Sequence, residues 1–450
     1  MKTGLIILWG MCALSATAQT VVKRDAAIKQ MVDEVSATNI EATVRKLVSF
    51  RTRHSLSDTT SKTEGIGAAR NWIKSEYEKY AKGSGGRMTV EFDAFTQPKS
   101  SRINQPTVLK NILATLKGTD PTDKRVYIVS GHYDSMPSNV MDSVSTAPGA
   151  NDDASGTAVS MELARVMAKR QFPATIIFMA VAAEEQGLYG SEHVAKRAKA
   201  EGWNVDAMLN NDIVGNSHGQ DNDLKDNSRV RVFSDGVPSI ADGNAAMIRS
   251  LINTGGENDS PSRQLARYVK EVAERYVDQL DVKLIYRRDR FLRSGDHVPF
   301  LQQGFTAVRF TEMNEDFTRE HQNVRTEKGI SYGDVPENVD YNYVKKVAGM
   351  NLSTLANLAL APAQPQNVGM LTSGLTNNTD LKWDAPTTGK KPAGYYVLMR
   401  ETTSAFWEKK LFITDTKITL GYSKDNYFFA IQAVDADGHE SLPVFPKAVR

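Results

Sequence analysis

Cysteine is all but missing: the 450 residues hold one, Cys12. It lies in an opening stretch, Met1 to Thr20, that carries Lys2, an apolar run from Leu5 to Leu14 and then Ala16-Thr17-Ala18. A positive start, a short apolar middle and small residues before a cut are the marks of a secretory signal peptide. We therefore expect cleavage after Ala18 and an exported chain, periplasmic or secreted. A lipoprotein cysteine does not fit, because Met11 precedes Cys12 where a small residue is wanted. The mature chain then has no cysteine, which excludes a disulfide framework and leaves stability to core packing and metal. Long apolar runs are missing as well. A membrane helix needs roughly 20 apolar residues, and no segment supplies them, so no transmembrane segment is expected. Nor is there an excess of one charge: Lys plus Arg number 55 and Asp plus Glu 53, for a formal charge of +2. That balance gives nucleic acid no electrostatic handhold.

The residues that are present belong to a soluble globular chain, 40 % hydrophobic and 24 % charged, long enough for two domains. Val22 to Phe50 carries apolar residues at Ile28, Met31, Val32, Val35, Ile40, Val44 and Leu47, a helical spacing. A second helix is expected over about Gly65 to Lys82. Short apolar runs then follow at Val126–Val129, Thr175–Val181, Ala207–Leu209 and Val308–Phe310, the pattern of fully buried strands. Helical stretches such as Gly156 to Lys169 and Ser191 to Ala200 separate them. This alternation predicts an α/β fold, a mostly parallel central sheet with helices on both faces. Ligands in such sheets bind beyond the carboxyl ends of the strands.

Near Ala361 the texture changes. Ala361-Pro362-Ala363-Gln364-Pro365 reads as a linker, and short β runs follow at Leu381–Trp383, Tyr395–Leu398, Lys410–Ile413 and Tyr427–Ile431, separated by Gly, Asn, Asp and Pro. They predict a small all-β sandwich. With Trp383 in an early strand, Tyr427 in a late one and Ala433-Val434-Asp435 to Gly438-His439-Glu440-Ser441 closing it, this segment resembles a fibronectin type III module. The expected organisation is a signal peptide over 1–18, a catalytic domain over 19–361, a linker over 362–366 and the sandwich over 367–450. No stretch of the sandwich resembles a set of metal ligands, so it is expected to stand apart from any site on the first domain and to be available to a surface or another protein.

Four of the apolar runs lead into acidic residues or histidine: Gly131-His132-Tyr133-Asp134, Pro148 to Gly156 with Asp152-Asp153, Ala182-Ala183-Glu184-Glu185-Gln186-Gly187, and Asn210-Asn211-Asp212. Residues two apart in an extended segment face the same side, so Asp134 is placed to accept from the far ring nitrogen of His132 and fix it for a metal. Carboxylates converging from four segments would repel one another unless cations held them together.

These motifs resemble those of the co-catalytic dizinc aminopeptidases of metallopeptidase family twenty-eight. The resemblance spans about Leu47 to Val344 and takes in Arg53-His54, Gly255 to Arg263 and Ser294-Gly295-Asp296-His297-Val298-Pro299-Phe300. It implies two zinc ions, one on His132 and Asp212, the other on Glu185 and His321, with Asp152 bridging. Glu184 would be the general base, and Asp153, Asp296 and His297 would line or support the site. A cis peptide between Asp152 and Asp153 is implied too. His297 is the rival of His321, since Asp296-His297 also follows a strand-like run, and Asp153 is expected to hold the turn or orient His321. Glu320 stands where many relatives carry a tyrosine. The function implied is removal of N-terminal residues from peptide substrates. A carboxypeptidase or dipeptidase on the same scaffold is the alternative, with Arg287, Arg288, Arg290 and Arg293 available for a free carboxylate. A glutaminyl cyclase, or a receptor ectodomain that has lost its metals, fits less well because all six positions are filled.

Overall fold

Ser36 divides what the helical spacing predicts as one helix. Its hydroxyl accepts from the Asn39 amide at 3.3 Å and its own amide donates to Glu162 at 2.7 Å, so the chain ends α1 (Ala26–Asp33) and starts α2 (Ala37–Val48). A capping serine supplies the acceptor that a new helix start lacks. The computed structural model describes residues 22–237 and 245–450. The expected signal peptide and Cys12 lie outside the described residues.

After α3 (Gly65–Ala81) the strands of the main sheet are β1 (Met88–Gln97), β2 (Thr107–Leu116), β3 (Arg125–His132), β4 (Thr175–Val181), β5 (Asn204–Asn211), β6 (Arg229–Ser234), β7 (Asp281–Ile285) and β8 (Ala307–Glu312). Their order is β1-β2-β4-β3-β5-β8-β6-β7. Four of the seven pairings are parallel, and β1–β2, β2–β4 and β6–β8 are antiparallel. The expected α/β class holds, with a parallel centre and antiparallel flanks. The helices that follow are α4 (Ala154–Met167), α5 (Tyr189–Ala200), α6 (Ala245–Thr254), α7 (Pro261–Tyr276), α8 (His297–Gln302) and α9 (Tyr341–Leu360), with a small hairpin, β9 (Arg325–Glu327) and β10 (Ile330–Tyr332), ahead of α9.

Both sheet faces are buried, as the unbroken apolar runs require. Tyr127 and Val129 of β3 and Ile176 and Phe178 of β4 pack into one core with α1, α2, α4, α7 and α9. The alternate residues Ile128, Ile177 and Met179 pack into a second core with Val194 of α5 and Phe300 of α8. The closest approach is at α4. A Cβ on Gly131 would lie 2.2 Å from the Gly156 carbonyl carbon, and one on Gly156 would lie 2.2 Å from the Asn211 oxygen. Only glycines let the first turn of α4 sit directly on the ends of β3 and β5. The turn carrying Asp152 and Asp153 is thereby pressed against His132 and Asp212.

Beyond α9 the chain forms β11 (Gln366–Leu371), β12 (Thr379–Asp384), β13 (Gly394–Glu401), β14 (Lys409–Ile413), β15 (Lys417–Leu420), β16 (Tyr427–Val434) and β17 (Lys447–Val449). They make two small sheets, β15-β12-β11-β17 and β14-β13-β16. Trp383 and Tyr395 meet edge to face between the sheets, with ring centroids 5.4 Å apart. This unit is fastened to the rest more firmly than a short linker suggests. Asp259 receives Arg267 at 2.9 Å and Arg400 at 2.7 Å. Glu440, wholly buried, pairs with Arg275 and accepts from Asn357 at 3.2 Å. The His439 ring bridges Asp435 at 2.8 Å and Asp25, the cap of α1, at 2.7 Å. None of its hydrogen bonds or ion pairs among the described residues reaches the candidate ligands.

Candidate metal centre

The strand register brings the four acidic motifs to one edge. His132 pairs with Val181 and Ser130 with Asn210, so Glu184, three residues beyond Val181, and Asp212, two beyond Asn210, emerge level with His132. Asp153 caps α4 by accepting from the Gly156 amide at 2.8 Å, and its other oxygen accepts from the His132 amide at 2.9 Å. The same carboxylate thus sets the helix start and the histidine strand. It does not contact His321, so the expectation that it orients that ring is replaced by these two bonds. The Asp152–Asp153 peptide is cis, as the resemblance implies.

Asp152 stands between two donor sets. His132 Nε2 is 3.1 Å from its Oδ1 and 3.8 Å from Asp212 Oδ1. His321 Nε2 is 3.0 Å from Asp152 Oδ2 and 3.0 Å from Glu185 Oε2. Within each triad, His132–Asp152–Asp212 and Asp152–Glu185–His321, the donor atoms lie within 4.8 Å of one another. His297 takes no part: its Nε2 faces the Arg288 carbonyl at 2.7 Å. Asp134 acts differently from expectation. His132 Nδ1 faces its backbone carbonyl at 3.2 Å and its carboxylate only at 3.7 Å. That carboxylate instead accepts from the amides of Glu184 and Glu185 at 3.3 and 3.2 Å, and so positions the pair.

Two positioning groups were not among the sequence candidates. Arg309, fully buried in β8, reaches Asp212 Oδ2 at 2.9 Å and Asp289 at 3.0 Å. An arginine between the buried apolar residues Val308 and Phe310 needs a counter-charge, and that was the available signal. Asp334 accepts from the amides of Asn151 and Asp152 at 2.8 and 2.7 Å, so the bridging residue is held by its backbone while its side chain stays free. Arg53 adds a clasp, donating to the carbonyls of Tyr133, Pro148 and Gly149 at 2.6–2.8 Å.

The field at this edge calls for cations. Burial pushes the Glu184 carboxyl well above its usual range, with Asp212 and Asp296 reinforcing the shift against His132. Burial likewise raises Asp296 to about 7; neither of its oxygens has a hydrogen-bond partner among the described residues. Against the same burial, Glu185 and Asp152 lift His321 to about 11, while Arg309 and His132 hold Asp212 down at about 2. Two imidazoles pulled toward charge by converging carboxylates mark positions where positive ions are favoured. Imidazole and carboxylate donors are those zinc accepts, so the residues fit the metal.

Comparison with known proteins gives this geometry a lineage. The model of peptidase family M28 matches residues 111–343. The chain belongs to peptidase family M28. This M28 peptidase is 49 % identical over 420 residues to a probable zinc metalloprotease of Leptosphaeria maculans, covering 93 % of this chain and 96 % of that one. A probable zinc metalloprotease of Pyrenophora teres f. teres is also 49 % identical, over 94 % of this chain and 87 % of its own. Among solved structures, the LapA aminopeptidase of Legionella pneumophila superposes with a TM-score of 0.53 at 20 % identity, covering 80 % of each chain. The aminopeptidase of Aneurinibacillus sp. strain AM-1 does so at 0.51 and 15 %, over 73 % of this chain and 95 % of its own. The M28 peptidase therefore shares their α/β fold, and it is a zinc metallopeptidase acting on peptides.

Proposed function

We propose that the protein is an exported aminopeptidase that uses two zinc ions. The observation that carries this reading is Asp152, whose two oxygens each face a different histidine at 3.1 and 3.0 Å. One carboxylate is shared by two otherwise separate donor sets. His132 and Asp212 would hold one ion, Glu185 and His321 the other. Zinc bound there would polarise the scissile carbonyl and acidify water. Glu184, beside a ligand but outside both triads, takes a proton from the attacking water and gives it to the departing amine. A positioned base of this kind is typically worth 10²- to 10⁴-fold.

The choice of the amino end rests on charge. The guanidiniums nearest the centre are already matched: Arg309 by Asp212 and Asp289, Arg290 by Glu315 at 2.8 Å. Both oxygens of Asp296 and one of Glu320 have no hydrogen-bond partner among the described residues, and these carboxylates favour a substrate ammonium over a carboxylate. Export is supported by Met1 to Ala18, and a fibronectin type III-like unit over 367–450 by its seven strands in two sheets. The test is hydrolysis of a peptide with a free amino end, the same peptide acetylated, and the same peptide amidated at its carboxyl end, each with and without chelator. Cleavage of free and amidated forms only, abolished by chelator and restored by zinc at two ions per chain, is expected. Cleavage of the acetylated peptide but not of the amidated one would make the protein a carboxypeptidase.

A further inference from the structure

The segment that follows β7 builds a second compartment beside the metal centre. It is a solvent-open cavity of about 420 Å3, walled in part by Phe233, Phe291 and Phe317 and lined by Arg287, Arg290 and Arg293. The segment borders the centre on two sides. Asp289 reaches it through Arg309, which holds Asp212. Arg293 and Arg290 reach it through Glu320, at 3.3 and 3.8 Å, the residue directly before His321.

The charges in this compartment do not cancel. Arg231 and Glu315 complete its charged lining, so four guanidiniums and one carboxylate line it, with Glu320 and Asp289 behind Arg293 and Arg290. Arg231 and Arg290 both bind Glu315. Arg293, with 37 % of its side chain exposed, has among the described residues only the 3.3 Å contact to Glu320. Arg287 is exposed, has no carboxylate within 4.0 Å among the described residues, and lies 5.5 Å from the Phe291 ring centroid. Arg287 is left without a counter-charge, and Arg293 with a single long one, at the mouth of an aromatic-walled space.

We propose that this compartment receives the side chain of the substrate's N-terminal residue and selects an acidic one, glutamate or aspartate, with Arg287 and Arg293 as the specificity-determining residues. The inference rests on the aminopeptidase reading. Size selects little, because about 420 Å3 admits any side chain, so discrimination falls to charge. A carboxylate entering the space gains charge-assisted hydrogen bonds from planar guanidinium forks. A lysine side chain meets unmatched like charge, and rejection of the wrong substrate is as much a part of specificity as attraction of the right one.

The test compares kcat/KM for the p-nitroanilides of glutamate, alanine and lysine, which carry no free carboxyl end, in the full zinc-loaded chain. Glutamate should exceed lysine by roughly 10–100-fold, the range expected of a charge-assisted contact. Arg287→Glu alters an exposed residue without a carboxylate partner and should compress or invert that ratio. Competitive inhibition by free glutamate, tighter than by free lysine and lost in Arg287→Glu, provides a second readout independent of turnover. The dipeptides Glu-Ala and Ala-Glu locate the subsite, and a preference for Ala-Glu would overturn the assignment. So would equal rates on the three anilides, or a ratio unmoved by the charge reversal. Failure to cleave any substrate with a free amino end is a different result, and it would overturn the aminopeptidase reading itself.

Discussion

Asp259→Ala tests whether the C-terminal sandwich is structurally part of the catalytic unit. Asp259 sits between Arg267 of α7 and Arg400 of β13, and both guanidiniums have side chains only 2 % exposed. Removing the carboxylate leaves two buried cations without a counter-charge, and breaking a buried pair in this way costs about 3–5 kcal/mol. Both arginines keep carbonyl acceptors, Arg267 at Asn258 and Ala405 (2.7 and 2.8 Å) and Arg400 at Ser404 (2.6 Å). These bonds soften the loss, so the lower end, about 3 kcal/mol, is expected. That is roughly a hundredfold shift in the folding equilibrium. Urea unfolding followed by tryptophan fluorescence measures it. Glu271→Ala serves as the comparison. It breaks an ion pair across the same junction, to Lys410 at 3.1 Å, but Glu271 is 29 % exposed and the loss should stay below about 1 kcal/mol. If Asp259→Ala costs no more than Glu271→Ala, the sandwich is merely tethered and the reasoning fails. A chain cut after Pro365 should, for the same reason, be unstable, because it leaves Arg275, Arg267 and Asn357 at a stripped interface.

Three further outcomes are expected. Glu184→Gln should retain zinc, measured by metal analysis, while turnover falls by about 10²- to 10⁴-fold; loss of metal would make Glu184 a ligand. His321→Ala should lose one of two bound ions, whereas His297→Ala should lose none, since His297 faces a backbone carbonyl. His439 gives a pH dependence. Burial opposes its charge, but Asp435 and Asp25 raise its pKa above the usual value, with Lys390 sharing Asp435 and Asp437 lying 3.9 Å from that ammonium. A folded pKa above the unfolded one gives stabilisation that is complete below the unfolded pKa, about 6.5, and is lost as pH rises through the folded value. Wild type should therefore lose its advantage over His439→Gln in denaturation curves taken from about pH 6 to about pH 9.

Much of the centre was legible because His132, Glu184, Glu185 and Asp212 lie at or just beyond the ends of buried strands, and buried strands announce themselves as apolar runs. Val126–Val129, Thr175–Val181 and Ala207–Leu209 all lie within strands of the parallel centre, and the residues after them are the ones that converge. The edge strands were less visible: β1 buries deeply only Met88 and Asp93, so its sequence lacks a continuous run. Partners chosen by proximity in space were also hidden. Asp134 was assigned to His132 from its spacing of two, yet its carboxylate serves amides some 50 residues on. Asp153 likewise serves His132 and α4 rather than His321. The attachment of the sandwich was illegible in kind, since Asp259, Arg267, Arg400 and Glu440 are ordinary charged residues until folding buries them.

The His439–Asp25 contact joins residues 414 positions apart. In a chain whose mature form is expected to lack cysteine, it occupies the role that secreted proteins commonly give to a covalent cross-link, tying an early helix to a late turn. Unravelling from α1 must then disturb the sandwich, and unravelling from the sandwich must release α1. The fastening is also reversible, since it forms and breaks with a hydrogen bond rather than a covalent exchange.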